Sequence, residues 1–342
     1  MKDLNKAIFD NQTILVTGGT GSFGKAFIDY VLHTYKPESI RIYSRDELKQ
    51  WQLKKRFSNS PYLNKLRFFL GDVRDKERLT RACYKTDVII HAAALKQVPA
   101  CENDPIEAVK TNIGGAVNVI DAALDNNVKK IVALSTDKAS EPINLYGATK
   151  LCSDKLMIQA NSYRGDKDAQ FSVVRYGNVM GSRGSVIPLF LKQKEAGELT
   201  ITDLEMTRFW ITLPEAVQFV ISSLGMMQGG ELFIPKIPSM KIVNLAKAIA
   251  PKVKITVVGL RPGEKIHESL ISSSESRFTS DLGDRYMLEP LYLPNWNQDF
   301  KYPSKKKKVV KNFSYTSHNN PDFLSIGQMR KILKQCRYNF GE

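Results

Sequence analysis

A doubly wound α/β sheet with a smaller C-terminal lobe is the fold class this sequence predicts, and three observations predict it. Short, near-continuous apolar runs recur through the first half, longer helical stretches separate them, and a glycine-rich turn joins the first run to the first helix. Strands covered on both faces read as unbroken apolar runs, whereas strands with one wet face alternate.

The first run, Gln12 to Thr17, breaks into glycines and then into a helical pattern from Ser22. Ser39 to Ser44, Leu66 to Leu70, Asp87 to His91, Lys130 to Ser135 and Phe171 to Tyr176 have the same β-rich character. Asp104 to Asn127 and Leu145 to Tyr163 are expected as long helices between them. Strand and helix in alternation imply a parallel sheet. After about Gly177 the rhythm weakens, and Pro188, Pro214, Pro235, Pro238, Pro251 and Pro262 separate short helical pieces. The expected organisation is a nucleotide-binding domain over 1–176, a substrate lobe over 177–300 that returns segments to the sheet, and a basic tail over 301–342.

The totals exclude several classes. With 342 residues, 42% hydrophobic and 25% charged, the chain is globular rather than disordered. Its four cysteines fall at no zinc or disulfide spacing, so reduced thiols and no metal are expected. The longest apolar run, from Val88, is far short of the roughly 18 residues of a membrane span. The first dozen residues lack a signal-peptide core, which makes a cytoplasmic location the expectation. The formal charge is +15, and residues 301–342 supply +8 of it, with ten Lys or Arg against Asp322 and Glu342. No aromatic interleaving or DNA-binding motif accompanies Lys305 to Lys308, so that run is expected as a solvated loop, not a nucleic-acid site. The milder positive balance elsewhere suits an anionic small-molecule substrate.

In "VTGGTGSFGKAF", Gly18, Gly21 and Gly24 fall at the junction of the first strand and helix. Glycines there let the chain turn sharply and let the backbone approach a pyrophosphate at the helix N-terminus, as in Rossmann-type domains. The G-x-x-G-x-x-G spacing resembles the extended short-chain dehydrogenase/reductases. At the end of the second strand an NAD enzyme normally places an acid on the ribose. Here "YSRDE" puts Ser44 and Arg45 there, which favours NADP, while Asp46 keeps NAD open.

Tyr146 and Lys150 lie one helical turn apart and share a face. An ammonium beside a phenol stabilises the phenolate, making Tyr146 a usable base for a sugar hydroxyl as hydride leaves. The strand just upstream ends in "LSTDKA", where Thr136 can hydrogen-bond the reacting hydroxyl. Asp137 and Lys138 have no part in hydride transfer alone. Once C4 of a sugar is a ketone, however, the C5 proton is acidic, and a base and an acid side by side can expel the C6 hydroxyl as water.

Over nearly its whole length the sequence resembles the UDP-N-acetylglucosamine 4,6-dehydratases that invert C5, first enzymes of the pseudaminic acid pathway. The motifs that carry this are "TGGTGSFG", "YSRDELKQ", "HAAALKQVP", "LSTDKA", "INLYGATKLCSDKL", "VVRYGNVMGSRGSVIP", "TDLEMTRFWIT", "IPKIPSMK", "RPGEKIHE" and "FSYTSHNN". The resemblance implies a tightly bound NADP, recycled each turnover, on Gly18, Thr20, Gly21, Ser22, Phe23 and Gly24, with Ser44, Arg45, Asp72 and Val73. It adds Ala92, Ala93, Ala94, Lys96 and Asn112, with Tyr146 and Lys150, to the same cofactor. It implies UDP-N-acetylglucosamine on Lys96, Tyr146, Asn178, Arg208, Arg261 and Glu264, with "SRGSVIP" packing over sugar or uracil. Lys138 would remove the C5 proton and Asp137 would protonate the departing hydroxyl. Deoxythymidine-diphosphoglucose dehydratases are similar but carry Asp-Glu at this position, and retaining relatives often have membrane spans. A homo-oligomer, dimer or hexamer, is implied as well.

Two rival readings remain. A 4-epimerase would use Tyr146, Lys150 and NAD with no need of Asp137 and Lys138. A binding protein that kept the dinucleotide but lost its chemistry would use the lysine run on acidic polymers.

Overall fold

A computed structural model describes residues 7–336 except 183, 292, 294–301 and 303–305. Arg183 of "SRGSVIP" and Lys305 of the lysine run therefore lie outside the described residues.

The chain begins with β1 (Thr13–Thr17), α1 (Ser22–Thr34), β2 (Ser39–Ser44), α2 (Glu47–Arg56) and β3 (Leu66–Leu70). It continues through α3 (Lys76–Cys83), β4 (Val88–His91), α4 (Val98–Asn103), α5 (Pro105–Val109) and α6 (Gly115–Asp125). Then come β5 (Lys130–Thr136), α7 (Leu145–Gln159) and β6 (Gln170–Tyr176). These six strands pair in parallel in the order β3-β2-β1-β4-β5-β6. The reversal between β1 and β4 opens a crevice above the strands' C-terminal ends, where α/β sheets bind ligands. β1 and β4 are buried throughout, which is why they read as unbroken apolar runs.

The stretch expected as one helix over Asp104 to Asn127 is interrupted. Between α5 and α6, Lys110–Gly114 forms a wide π turn. The Asn112 side chain at its centre points inward and ties the turn to its surroundings, and such bulges recur at functional sites. Gly115 follows because a Cβ there would meet Val73 at 2.8 Å.

The second half supplies β7 (Asn178–Val179), α8 (Val186–Glu195), β8 (Glu198–Ile201), β9 (Thr207–Ile211), α9 (Leu213–Met226), β10 (Leu232–Pro235), β11 (Ser239–Lys241) and α10 (Ile242–Ile249). After β12 (Lys254–Val257) and β13 (Ser269–Ile271) come β14 (Thr279–Asp281), β15 (Arg285–Leu288), β16 (Lys307–Lys308), β17 (Tyr315–Thr316) and α11 (Ile326–Gln335). Four of these strands return to the large sheet, extending it to ten in the order β16-β14-β15-β10-β6. Only β10 joins in parallel; β15, β14 and β16 run antiparallel. A second apolar core gathers Phe190, Trp210, Met240 and Leu245 with Met329 and Leu333 of α11.

The basic tail is thus woven into both cores, through Tyr302 and Tyr315 in the first and Met329 and Leu333 in the second. Lys307 and Lys308 form the edge strand, and Lys306 and Lys308 both pair with Glu289, at 3.1 and 2.8 Å. β17 pairs with β13, and Ser325 caps α11 through a reciprocal bond with Gln328. No helix among the described residues is long and apolar enough to cross a membrane.

Candidate active site

A cavity of about 750 Å³ runs along the C-terminal ends of β1, β2, β4, β5 and β6. The residues expected in catalysis, on the cofactor or on the substrate line it except Asn112, Arg208, Arg261 and Glu264, and of "SRGSVIP" Ser182, Gly184 and Ser185 line it while Val186, Ile187 and Pro188 do not.

One end is shaped for a dinucleotide. Gly18 has φ +65°, and a Cβ on it would lie 2.9 Å from the Ala93 nitrogen, so the turn after β1 presses on the strand end at Ala92–Ala93. A Cβ on Gly24 would lie 2.6 Å from Gly19, so α1 packs directly on the turn. Behind it, Thr17 Oγ1 and His91 Nδ1 are 2.8 Å apart. Burial, reinforced by Lys150, pushes the His91 imidazole down to about 3, so it stays neutral.

At the end of β2, Ser44 Oγ accepts from Gln50 Nε2 at 3.2 Å, and Arg45 lies 3.5 Å from Asp72. Partial burial pushes Asp72 up, but hydrogen bonds from the Arg74 side chain and backbone outweigh it and hold the carboxyl low. Asp46 is otherwise engaged: its Oδ1 accepts from the Lys49 N–H at 2.9 Å to cap α2, and its Oδ2 pairs with Lys49 Nζ. Lys49 itself lines the cavity, as do Gln97, Thr111 and Tyr176, all of which the sequence reading missed. Lys49 had a signal: it stands one turn into the helix that follows "YSRD".

The other end holds the acid–base groups. Asn144 caps α7 by accepting from the Gly147 N–H at 2.8 Å. A Cβ on Gly147 would lie 2.2 Å from the Lys138 carbonyl, so only glycine lets this helix approach the 137–139 turn so closely. That approach brings Tyr146 to Thr136, Asp137 and Lys138. Thr136 Oγ1 donates to Asp137 Oδ1 at 2.9 Å, and Lys138 Nζ donates to the same oxygen at 3.0 Å. Burial pushes Tyr146 up to about 12, opposed by Lys138 and a hydrogen bond with Thr136. Lys138 is thus the leading cation opposing that burial. Burial lowers Lys150, opposed by Asp154 one turn further along α7. Lys96 is lowered by desolvation and by Lys138.

Asn112 stands behind this wall. Its Oδ1 accepts from the Leu95 N–H at 2.8 Å, and its Nδ2 donates to the Leu95 carbonyl at 2.9 Å and to Thr149 Oγ1 at 3.0 Å. It joins the strand end to α7 rather than facing the cavity.

Arg208 is buried, with guanidinium bonds to the carbonyls of Thr207, Lys265 and Ile266 at 2.7–2.9 Å. Arg261 and Glu264 form a turn that Asn144 Nδ2 anchors through the Gly263 carbonyl at 2.8 Å. Of the six residues expected on the substrate, Lys96, Tyr146 and Asn178 line the cavity, and Arg208, Arg261 and Glu264 do not. The residue that sequence reading passed over is Glu268, the last letter of "RPGEKIHE". It is 2% exposed, and its Oε1 lies 3.1 Å from Lys138 Nζ and 3.7 Å from Arg208 Nε. Burial raises it, but Lys138 and Arg208 outweigh that and hold the carboxyl low. Asp137 is pushed up by burial against the pull of Lys138. Burial would lower Lys138, but Asp137 and Glu268 raise it, so the resting ammonium is charged.

Comparison with known proteins agrees with this architecture. The model of a family described as polysaccharide biosynthesis protein matches residues 14–290. Over 332 residues the chain is 52% identical to a UDP-N-acetylglucosamine 4,6-dehydratase (inverting) of Campylobacter jejuni, covering 95% of this chain and 98% of that one. It is 42% identical over 339 residues to a Rickettsia canadensis protein named UDP-glucose 4-epimerase, covering 97% and 98%. The X-ray structure of Pen from Bacillus thuringiensis matches with a TM-score of 0.87 at 38% identity, covering 96% of this chain and 99% of that one.

Proposed function

Since the chain belongs to the polysaccharide biosynthesis protein family, we propose that it is a UDP-N-acetylglucosamine 4,6-dehydratase that inverts C5, the activity named for its Campylobacter relative. The observation that carries this reading is the hydrogen-bonded Asp137–Lys138 pair in the cavity wall beside Tyr146. Hydride transfer uses neither group, whereas loss of water across C5 and C6 uses both.

NADP is the proposed cofactor, on the glycine turn, Asp72–Val73 and Ala92–Ala94, with Ser44, Arg45 and Lys49 at the 2′-phosphate. The engagement of Asp46 with α2 and Lys49 supports this over NAD. The nicotinamide supplies a hydride acceptor for C4 and a donor for C6, so no net oxidation occurs. The side chains do the rest. Thr136 binds the C4 hydroxyl and Tyr146 takes its proton, with Lys150 one turn below. Lys138 removes the C5 proton, and Asp137 protonates the C6 hydroxyl as it leaves. Asn178, Arg208, Arg261 and Glu264 are proposed for UDP. For Arg208 this requires exchanging its carbonyl partners for phosphate oxygens, which a planar guanidinium can clamp.

A homo-oligomer is proposed, with the exposed Ile106, Val109 and Val117 of α5 and α6 as the candidate contact. The product, UDP-2-acetamido-2,6-dideoxy-β-L-arabino-hexos-4-ulose, is proposed to enter pseudaminic acid synthesis. The second reading, a 4-epimerase, has the Rickettsia relative's name in its favour. Proton NMR of the purified protein with UDP-N-acetylglucosamine and no added cofactor separates the two. A 6-deoxy methyl doublet with C5 inverted is expected; UDP-N-acetylgalactosamine in its place would establish the epimerase.

A further inference from the structure

Lys138 lies between two buried carboxylates. Its Nζ is 3.0 Å from Asp137 Oδ1 on one side and 3.1 Å from Glu268 Oε1 on the other. Asp137 and Glu268 are 1% and 2% exposed, and the second oxygen of each is buried without a hydrogen-bond partner among the described residues. An unpartnered buried carboxylate oxygen is costly, so a group that leaves one in place calls for an explanation.

Structure elsewhere fixes Glu268 firmly. Ser317 brackets its backbone, with Ser317 Oγ accepting from the Glu268 N–H at 2.9 Å and the Ser317 N–H donating to the Glu268 carbonyl at 2.8 Å. The same hydroxyl reaches Thr207 Oγ1 at 2.6 Å, beside Arg208. The charged groups facing the Glu268 carboxylate are Lys138, Arg208 and, further off, Lys265.

A charged Lys138 cannot accept a proton from C5. We propose that Glu268 is the group that relieves it: Asp137, Lys138 and Glu268 form a proton relay in which Lys138 passes one ammonium proton to Glu268 Oε1 as it takes the C5 proton. Glu268 acts through Lys138 and is a positioning residue rather than a catalytic one. The relay rests on the dehydratase reading above.

The atoms balance. The relay starts from a protonated Asp137, the form that burial favours, with Lys138 an ammonium and Glu268 ionised. The C5–H bond breaks towards Lys138 Nζ while an N–H bond of Lys138 breaks towards Glu268. The Asp137 proton goes to the C6 oxygen, and the C6–O bond breaks to release water. The site then holds ionised Asp137, an ammonium and protonated Glu268. The Glu268 proton returns through Lys138 to Asp137 across the 3.1 and 3.0 Å hydrogen bonds, resetting the site. The proton that enters C5 from the opposite face comes from solvent, and the relay is independent of it.

The test is Glu268→Gln, which keeps the shape but cannot take a proton. Three readouts are followed with UDP-N-acetylglucosamine: nicotinamide reduction in a single turnover, appearance of the 6-deoxy product, and UDP affinity by calorimetry. The expectation is about 100-fold or greater loss of product formation, with nicotinamide reduction and UDP affinity within about threefold. Glu268→Asp, which restores the acceptor on a shorter arm, should recover about tenfold. Product formation at the wild-type rate in Glu268→Gln overturns the relay. So does a parallel fall in all three readouts, which would make Glu268 only an anchor of Arg208. If Glu268→Gln does not fold, the split between reduction and product formation in Glu268→Asp decides by the same criterion. Failure of the dehydratase reading looks different: the wild-type protein itself would then make no 6-deoxy sugar.

Discussion

Asn112 grips the backbone of Leu95 from both sides, accepting its N–H at 2.8 Å and donating to its carbonyl at 2.9 Å. The π turn that carries Asn112 is the price of that grip: a regular helix would carry the amide round to a different bearing. Asn112→Ala leaves two backbone groups and Thr149 short of a partner, at about 1–3 kcal/mol for each group that water does not reach. The melting temperature should fall by several degrees, and cofactor retention through gel filtration should fall with it. Unchanged values for both would show that the clamp carries no weight.

Lys138→Ala should abolish water loss while leaving UDP affinity nearly intact, because it removes a proton-transfer group and not a phosphate ligand. It should also strip the buried Glu268 carboxylate of its nearest cation, leaving it Arg208 at 3.7 Å. Breaking such a buried pair costs about 3–5 kcal/mol. Urea denaturation should show the variant's deficit shrinking as pH falls, since protonating Glu268 removes the buried charge that Lys138 had balanced. Equal loss of UDP affinity and turnover would assign Lys138 to the nucleotide instead.

Tyr146→Phe should stop the first oxidation and with it every later step. Because burial pushes the phenol up to about 12, the wild-type oxidation rate should rise with pH where the phenolate limits it, and this rise should vanish in the variant. Single-turnover nicotinamide absorbance across pH reads both. A normal oxidation rate in Tyr146→Phe would place the base elsewhere.

Arg45→Ala and Lys49→Ala should each weaken NADP by about tenfold or more while changing NAD by far less, as expected for groups that meet only the 2′-phosphate. Equilibrium titration of both dinucleotides checks it. Equal loss for the two would move these side chains away from the ribose.

His91 predicts an acid limb in stability. Its folded value is about 3 against an ordinary 6.5, so between those values the unfolded chain binds a proton that the folded one refuses. The unfolded state therefore gains as pH falls, and stability should decline below about pH 6.5 with a contribution approaching 1.4 kcal/mol per unit. His91→Gln should flatten that part of the urea midpoint against pH curve; an unaltered slope would assign it to other groups.

The parts of this molecule written in neighbouring residues were readable in advance. Apolar runs located the six parallel strands to within a residue or two, because strands buried on both faces have no polar alternation to hide in. The glycine turn and the Thr136, Tyr146 and Lys150 set were readable because their spacing is the geometry of one turn and one helix. Glu268 was not, since its meaning depends on Lys138 and Arg208, which are far off in the chain and meet it only in the fold. The π turn at Asn112 was hidden for the same reason: helical periodicity continues across it, and the partners that bend it are Leu95 and Thr149. Lys307 and Lys308 are exposed, as their charge suggests, but they form a strand rather than a loop: their backbone closes the sheet edge, and Glu289 pairs with Lys306 and Lys308.

The bracketing of Glu268 by Ser317 sets an order of events during synthesis. Residues 1–176 contain every strand of the parallel core but β10, and can pair as they emerge from the ribosome. The carboxylate beside Lys138 is held only once the segment around Ser317 has been translated, some 50 residues later by the separation of those two positions. The glycine turn and the Asp137–Lys138 pair are therefore complete in the chain before the hydroxyl that holds Glu268 beside them has been made.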